Sequence, residues 1–382
     1  MVFNLSPLMV LEQALTILFA LVGLVFLMVK RKSLESDLKK WLLIFSTLGV
    51  ISVFTNNIFH QVSFSSAVIG SLAYFKIFSL VPVFFWTRHP ERSYFTLRYF
   101  RMFGLLWFIS LLILYVLNVN LNFKSPFTGT EMIVEVSRLN KNIINLLSIY
   151  YLALFFMKRT NRYMVISFIL FGANFFGDFQ RYIFICFILT VLLGFFVQRS
   201  VLIRIRLLPI ALASFIAGTA FLSNADYGRL IMKKYSDVGF LFADQGSKTD
   251  YSVSARLWES DIAINGFWEH PLLGNGVFRS GVKEQLFGDV HFYLSDVGLL
   301  GILYAFGIIG LIVFLLQLRF YFSISPSSII DLWVKLSVLF TMLYSILTGT
   351  SILMPSVFMV VILIRSMGDR SLGAEFSRSN GW

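Results

Sequence analysis

Three basic residues stand where apolar runs give way to polar chain, and their types suit them to chemistry: His291, Arg256 and Arg181. His291 comes three residues before an apolar run that starts at Leu294. A histidine there titrates near neutral pH and can take a proton from a hydroxyl. An interfacial histidine can also do no more than hydrogen-bond to backbone or water. Arg181 closes the polar corner Gly177-Asp-Phe-Gln-Arg181 between two apolar runs. An arginine beside hydrocarbon is costly to keep, so it marks an anion site unless Asp178 neutralises it. Arg256 lies in Ser254-Ala-Arg-Leu-Trp-Glu259. Ser254 is placed to cap a helix with Arg256 in its first turn, and Glu259 to form an i,i+3 ion pair worth about a few tenths of a kcal/mol.

Other ionisable residues stand close by. Asp296, five residues after His291, could orient the histidine, pair with an arginine, or favour a helix N-terminus electrostatically. Lys76 falls inside an apolar run, where an ionisable residue is a functional candidate by default. Glu12, in the first apolar run, could neutralise it. The chain has no Gly-x-x-x-x-Gly-Lys phosphate loop, no Gly-x-Gly-x-x-Gly, no Asp-x-Asp pair and no His/Glu cluster at metal spacing. The expectation is a reaction without cofactor or metal, on an activated substrate already in the membrane.

Such residues must be held by membrane helices. Of 382 residues, 57% are hydrophobic and 14% charged, which excludes a soluble globular protein. Apolar runs able to cross a hydrocarbon layer of about 30 Å recur along the chain. Helices are predicted at roughly 9–29, 41–60, 63–86, 102–121, 143–157, 164–180, 182–198, 207–223, 293–317, 333–349 and 351–367. The fold class is therefore all-α, a polytopic membrane helix bundle of about eleven transmembrane helices. Three regions follow: 1–223 with eight helices and a small, partly helical cap at 122–142; a large extracytoplasmic, partly helical loop at 224–292; and 293–382 with three helices and a tail.

The intervals 30–40, 87–101, 158–163, 199–206, 318–335 and the tail from 365 hold 20 of the 32 Lys and Arg but only 6 of the 20 acidic residues. That bias reads the net charge of +12 as membrane orientation, not as a nucleic-acid surface, and puts the N-terminus outside and the C-terminus in the cytoplasm. The single Cys186 allows neither an intrachain disulfide nor a Cys-based metal site. Met9 to Met28 reads as a retained helix, with no basic residue before it and no cleavage pattern after it.

The longest motif runs from Ser254 to Gly276. Leu257, Ile264 and Trp268 share a helical face that can lie on the membrane surface or against the bundle. Pro271 stops the helix, and Gly274 and Gly276 allow a tight turn. After His291 comes an apolar helix with Gly298, Gly301, Gly307 and Gly310, read as devices for close helix packing.

Together these segments resemble the O-antigen polymerase and ligase superfamily of bacterial envelope polysaccharide synthesis. The resemblance rests on Ser254-Ala-Arg256 with Trp258, on His270-Pro-Leu-Leu-Gly-Asn-Gly276, on His291 before Ser295-Asp296 and the glycine-rich helix, and on Gln180-Arg181 opening an apolar helix. Ligases of this kind tend to have Asn, Ser or Gln after the histidine and a glycine eleven residues beyond it. Here Phe292 and Ile302 stand there, with Gly301 one residue early, so the polymerase is the leading reading.

The resemblance implies a glycosyltransferase acting on glycans linked to undecaprenyl diphosphate at the outer face of the bacterial inner membrane. It implies Arg256 and Arg181 on the diphosphate, His291 as general base, and Gln180, Arg279, Asp296 and Lys76 in supporting places. Implied partners are lipid-linked glycans and membrane lipids, with a chain-length regulator and a flippase as further candidates. A ligase transferring glycan to lipid A-core is the first alternative. A polysaccharide lipid transporter or flippase is the alternative of another class, although no inverted repeat is visible.

Overall fold

The computed structural model describes residues 2–4, 6–30, 35–117, 120–124, 131–135, 141–175, 181–197, 251–278, 292–294, 297–353 and 355–379. The predicted helix 207–223 and most of the 224–292 loop lie outside the described residues. In chain order the helices are α1 (Ser6–Lys30), α2 (Ser36–His60), α3 (Phe64–Gly70), α4 (Leu72–Lys76), α5 (Leu80–Trp86), α6 (Pro90–Val116), α7 (Asn142–Lys158), α8 (Asn161–Phe171), α9 (Arg181–Val197), α10 (Tyr251–Glu269), α11 (Leu299–Ser323), α12 (Ile329–Thr348), α13 (Thr350–Leu353) and α14 (Pro355–Ser379).

Four of these are long and apolar enough to cross a membrane: α2, α6, α11 and α12. A fifth arises if the bent run from α3 through α5 is one span. Shorter apolar helices cover Ala14–Val29, Asn142–Lys158, Ile183–Phe195 and Pro355–Gly368. The helical membrane bundle is as expected. The described residues establish four or five spans.

Among the described residues of the cap, 122–124 and 131–135 are strand, beside an otherwise helical bundle. Val2–Asn4, Asn120–Lys124 and Glu131–Glu135 form a three-stranded sheet. The first strand pairs parallel with the second, and the second antiparallel with the third, Asn120 opposite Glu135 and Lys124 opposite Glu131. Asn-Leu-Asn-Phe-Lys alternates polar and apolar at period two, a strand pattern that the partly helical reading of 122–142 passed over. The sheet ties the start of α1 to the end of α6, so both lie at one end of the bundle.

The opposite end gathers three of the six basic intervals. The Arg365 guanidinium donates to Asp37 Oδ2 at 3.1 Å and stands 5.2 Å from the Phe320 ring centroid. Lys335 Nζ donates to the Ile324 carbonyl at 2.8 Å. Intervals 30–40, 318–335 and the chain from 365 therefore meet, as the charge pattern requires. α12 starts there with a capping box: Ser328 Oγ accepts from the Asp331 amide, and Asp331 Oδ2 accepts from the Ser328 amide.

The core between the ends is aromatic. Trp41 stacks on Phe45, and both pack edge-to-face with Phe358, which with Phe320 joins α2, α11 and α14 in one aromatic cluster. Trp333 donates its indole N–H to the Leu146 carbonyl at 2.8 Å, pinning α12 to α7. α7 and α8 exchange Ser148 Oγ to Ser167 O and Ser167 Oγ to Ser148 O, both 2.8 Å, in the buried seam between them. Hydroxyls buried in apolar surroundings must be paired in this way.

The predicted single helix 63–86 is instead broken. α3 and the run that follows it are bent by 60°, with a 3₁₀ turn at Ile77–Ser79 before α5. The bend itself falls between Gly70 and Leu72, and the 3₁₀ turn has its own local cause in Pro82, which has no N–H to give the Phe78 carbonyl four residues earlier. α1 closes over that carbonyl at Gly23, where any Cβ would run into the Phe78 oxygen.

Candidate functional site

α10 ends where the sequence says it must. Glu269 is its last residue, and Pro271 follows in a turn. The Gly274 amide returns to the His270 carbonyl at 2.9 Å. Gly274 has φ +68° and Gly276 φ +84°, a region that L side chains disfavour. Their surroundings demand glycine independently. A Cβ on Gly274 would strike the Ala305–Phe306 peptide of α11, and one on Gly276 would lie 2.7 Å from Thr55 Oγ1 and 2.9 Å from Asn56 Oδ1. The start of this helix differs from expectation. α10 begins at Tyr251, so Ser254 lies inside it instead of capping it, and Arg256 falls in the second turn.

The turn is inserted into a break in α11. Gly307 has φ +56° and ψ −146° in the middle of the apolar helix. In an unbroken helix the Ile308 amide would donate to the Tyr304 carbonyl. Here the Ile308 amide donates to the Pro271 carbonyl at 2.8 Å, and the Tyr304 carbonyl accepts from the Asn275 amide at 2.7 Å. The Ala305 carbonyl accepts from the Gly276 amide at 2.9 Å. One helical turn has exchanged its own hydrogen bonds for bonds to the inserted chain. Gly298 (φ +58°) and Gly307 are thus positions of backbone reversal as well as the close-packing sites expected from sequence, since a Cβ would strike the Ile346 carbonyl oxygen at Gly298 and that of Pro271 at Gly307. Gly301 and Gly310 do admit close approach, to the Leu294 backbone and to Ile302 and Phe306.

α2 supplies the other wall, with a polar stripe at spacing four. Ser52 Oγ accepts from the Val277 amide at 2.9 Å and from Ser71 Oγ at 2.8 Å. Asn56 Nδ2 donates to the Val277 carbonyl at 2.9 Å. His60 Nε2 meets Asn275 Oδ1 at 3.2 Å. Asn275 Nδ2 donates to the Gly266 carbonyl at 2.7 Å, which leaves Oδ1 as acceptor and puts the His60 proton on Nε2. The His270 ring stacks on Phe59 at 3.8 Å between centroids. Ser52, Asn56 and His60 were missed as site-building residues. Their signal was present: polar side chains four apart in a membrane helix must face protein.

α10 and the chain beyond His291 meet over Tyr304. Gly266 presses on the Tyr304 ring, where a Cβ would collide. Phe292 is buried and packs edge-on against the same ring at 5.1 Å. The buried Glu259 carboxylate accepts from the Tyr293 amide at 3.0 Å. α10 buries Glu259, Ala263 and Gly266 and exposes Ile264 and Trp268. Of the two expected placements, the apolar face does not lie against the bundle.

The predicted site residues are placed as follows. Arg181 is the first residue of α9 and Arg256 the sixth of α10, but both side chains lie outside the described residues. Gln180, Arg279, His291 and Asp296 lie outside them too. Lys76 is half-buried at the end of α4, inside the bent run, and makes no ion pair among the described residues. Before the 176–181 corner, Asn174 Nδ2 donates to Asn145 Oδ1 at 2.7 Å and to the Phe171 carbonyl at 2.9 Å, with its own Oδ1 buried and unpaired. This amide pair was also missed.

Residues 166–315, about two fifths of the chain, match a family model described as O-antigen ligase. That stretch is similar to the O-antigen ligase family of the O-antigen ligase and polymerase superfamily. No curated protein matches it. The matched stretch runs from α8 to within α11 and encloses Arg181, Arg256, the 270–276 turn, His291 and the Gly307 break. The matched stretch supports an O-antigen polymerase- or ligase-type function.

Proposed function

We propose that this protein is a polymerase that joins lipid-linked oligosaccharide repeat units. The donor is a glycan on undecaprenyl diphosphate, and the acceptor is a hydroxyl on the terminal sugar of another lipid-linked unit. The acceptor oxygen attacks the donor's anomeric carbon. The bond from that carbon to the phosphate oxygen breaks, and undecaprenyl diphosphate leaves with the electron pair. His291 takes the hydroxyl proton or positions the hydroxyl. Arg256 and Arg181 hold the diphosphate, where a forked guanidinium stabilises the charge that develops on departure. The protein lies in the bacterial inner membrane with about eleven spans, N-terminus outside and site outside.

The observation that carries this reading is the hydrogen bond from the Tyr293 amide to Glu259. Glu259 is three residues after Arg256 on one helix, and Tyr293 is two residues after His291. That bond joins α10, one turn after Arg256 in sequence, to the chain two residues after His291. Phe292 favours polymerase over ligase: where ligases tend to have a polar residue, this chain has a ring buried against Tyr304.

The test is reconstitution with lipid-linked repeats alone. The polymerase makes a ladder of longer lipid-linked chains, releases undecaprenyl diphosphate, and does so in excess chelator. A product only on addition of lipid A-core would establish the ligase, and chemically unchanged repeats moved across the bilayer would establish a flippase. His291→Ala should slow the ladder by about 10²–10⁴-fold, and Arg256→Lys should not rescue it, because an ammonium lacks the planar fork. Arg279→Ala should cost much less. Wild-type ladders from inserted His291→Ala and Arg256→Ala proteins would show that the site is elsewhere.

A further inference from the structure

The sequence placed the His270–Gly276 turn in the loop above the membrane. Two helices measure its depth independently. On α2 the turn is gripped from Ser52 to His60, and Ser52 is eight residues from the helix end, about 12 Å at 1.5 Å per residue. On α11 it is gripped at Tyr304, Ala305 and Ile308 around Gly307, which is eight residues from the other helix's start, again about 12 Å. Both helices have 25 residues and qualify as spans. A 25-residue helix of about 37 Å overhangs a hydrocarbon layer of about 30 Å by about 4 Å at each end. The turn therefore reaches about 8 Å inside the hydrocarbon.

Its backbone suits that depth. Irregular chain is tolerated in hydrocarbon only where protein satisfies its polar groups. The amides of His270 and residues 274 to 277 all donate to protein acceptors, and the carbonyls of Pro271 and Val277 accept from α11 and α2. Its outward side chains are apolar: Trp268 is 70% exposed, Leu272 66% and Leu273 41%. They continue a stripe on α11 itself, since Ile308, hydrogen-bonded to Pro271, begins an exposed row with Ile312 and Leu315. A row on a spanning helix faces lipid, so the surface that continues it does too.

We infer that residues 268–276 form a re-entrant element that dips into one leaflet between α2 and α11 and presents Trp268, Leu272 and Leu273 to phospholipid acyl chains. This goes beyond the proposed reaction and rests only on α2 and α11 as spans. It gives the matched 166–315 stretch a lipid-facing wall.

Site-directed spin labelling tests it on the full-length protein in phosphatidylcholine–phosphatidylglycerol bilayers. The buried Cys186 is replaced first, as Cys186→Ala. A nitroxide at Leu272→Cys should collide with oxygen severalfold more than with a water-soluble nickel chelate, as at Ile312→Cys. Ser65→Cys, exposed between α2 and α4 on the short α3, should show the reverse preference. Leu273→Cys repeats the measurement should the first variant fold poorly. Nickel access at 272 and 273 like that at Ser65 would overturn the inference by placing the turn in water. Shielding from both reagents would also overturn it, because another polypeptide would then cover the surface.

Discussion

Two apolar helices of this protein are interrupted, and for opposite reasons. The run from α4 to α5 passes through a 3₁₀ turn because Pro82 withholds an N–H from the Phe78 carbonyl, and α1 merely closes over the gap at Gly23. α11 breaks at Gly307 with no proline. Its carbonyls at Tyr304 and Ala305 are taken by amides that arrive from the 270–276 turn. The first break is local chemistry tolerated by tertiary packing. The second is tertiary insertion permitted by one glycine. The first holds Lys76 and few other polar groups. The second organises α2, α10 and the chain at Phe292–Leu294 within the matched 166–315 stretch.

That contrast makes substitutions at the inserted break cost more. Gly307→Val should have the largest effect. A β-branched residue at φ +56° is strained, and its Cβ would meet the Pro271 carbonyl, for a combined cost of about 3–5 kcal/mol. Thermal unfolding in detergent should show a loss of Tm large enough to deplete inserted protein, and a normal melt would mean that the exchange at Tyr304 is dispensable. Asn56→Leu comes next. It strands the Val277 carbonyl but also removes the unpaired Asn56 Oδ1, for a net loss of roughly 1–2 kcal/mol. The same melt measures it, and Asn56→Asp is not an equivalent replacement, because an ionised carboxylate cannot donate.

Pro82→Ala should sit near zero or slightly stabilise, within about 1 kcal/mol, since it restores a donor to Phe78 but removes the ring carbon that lies against α1 at Gly23. A large loss there would erase the distinction between the two breaks. Smallest is Arg365→Ala at the basic end. Its partly exposed pair with Asp37 is worth about 0–1 kcal/mol, so Tm should barely move and polymer formation not at all.

Much was legible beforehand because it depends on composition and short-range spacing. The bundle, the stop of α10 at Pro271, the turn glycines and the gathering of basic intervals at one end all follow from side-chain solubility and backbone sterics. So did the anchor region: the order Arg256, His270–Gly276, His291 pointed to the superfamily that the matched 166–315 stretch bears out. The helix limits were less legible. α6 starts at Pro90, earlier than its apolar run, because Glu91 and the arginines after it extend a helix as readily as apolar residues do.

Tertiary structure alone decided the rest. No local signal says that Gly307 opens its helix while Gly301 and Gly310 stay helical. The difference lies in which carbonyls an amide from thirty residues earlier can reach. Nor could the sequence say that the strand-like Asn120–Lys124 would find the N-terminal residues as its partner, or that α10 would turn Ala263 and Gly266 inward and Trp268 outward. Apolar residues are acceptable both in a core and in lipid, so hydrophobicity by itself cannot choose between the two. Close packing chooses, and it selects the small residues for the inside.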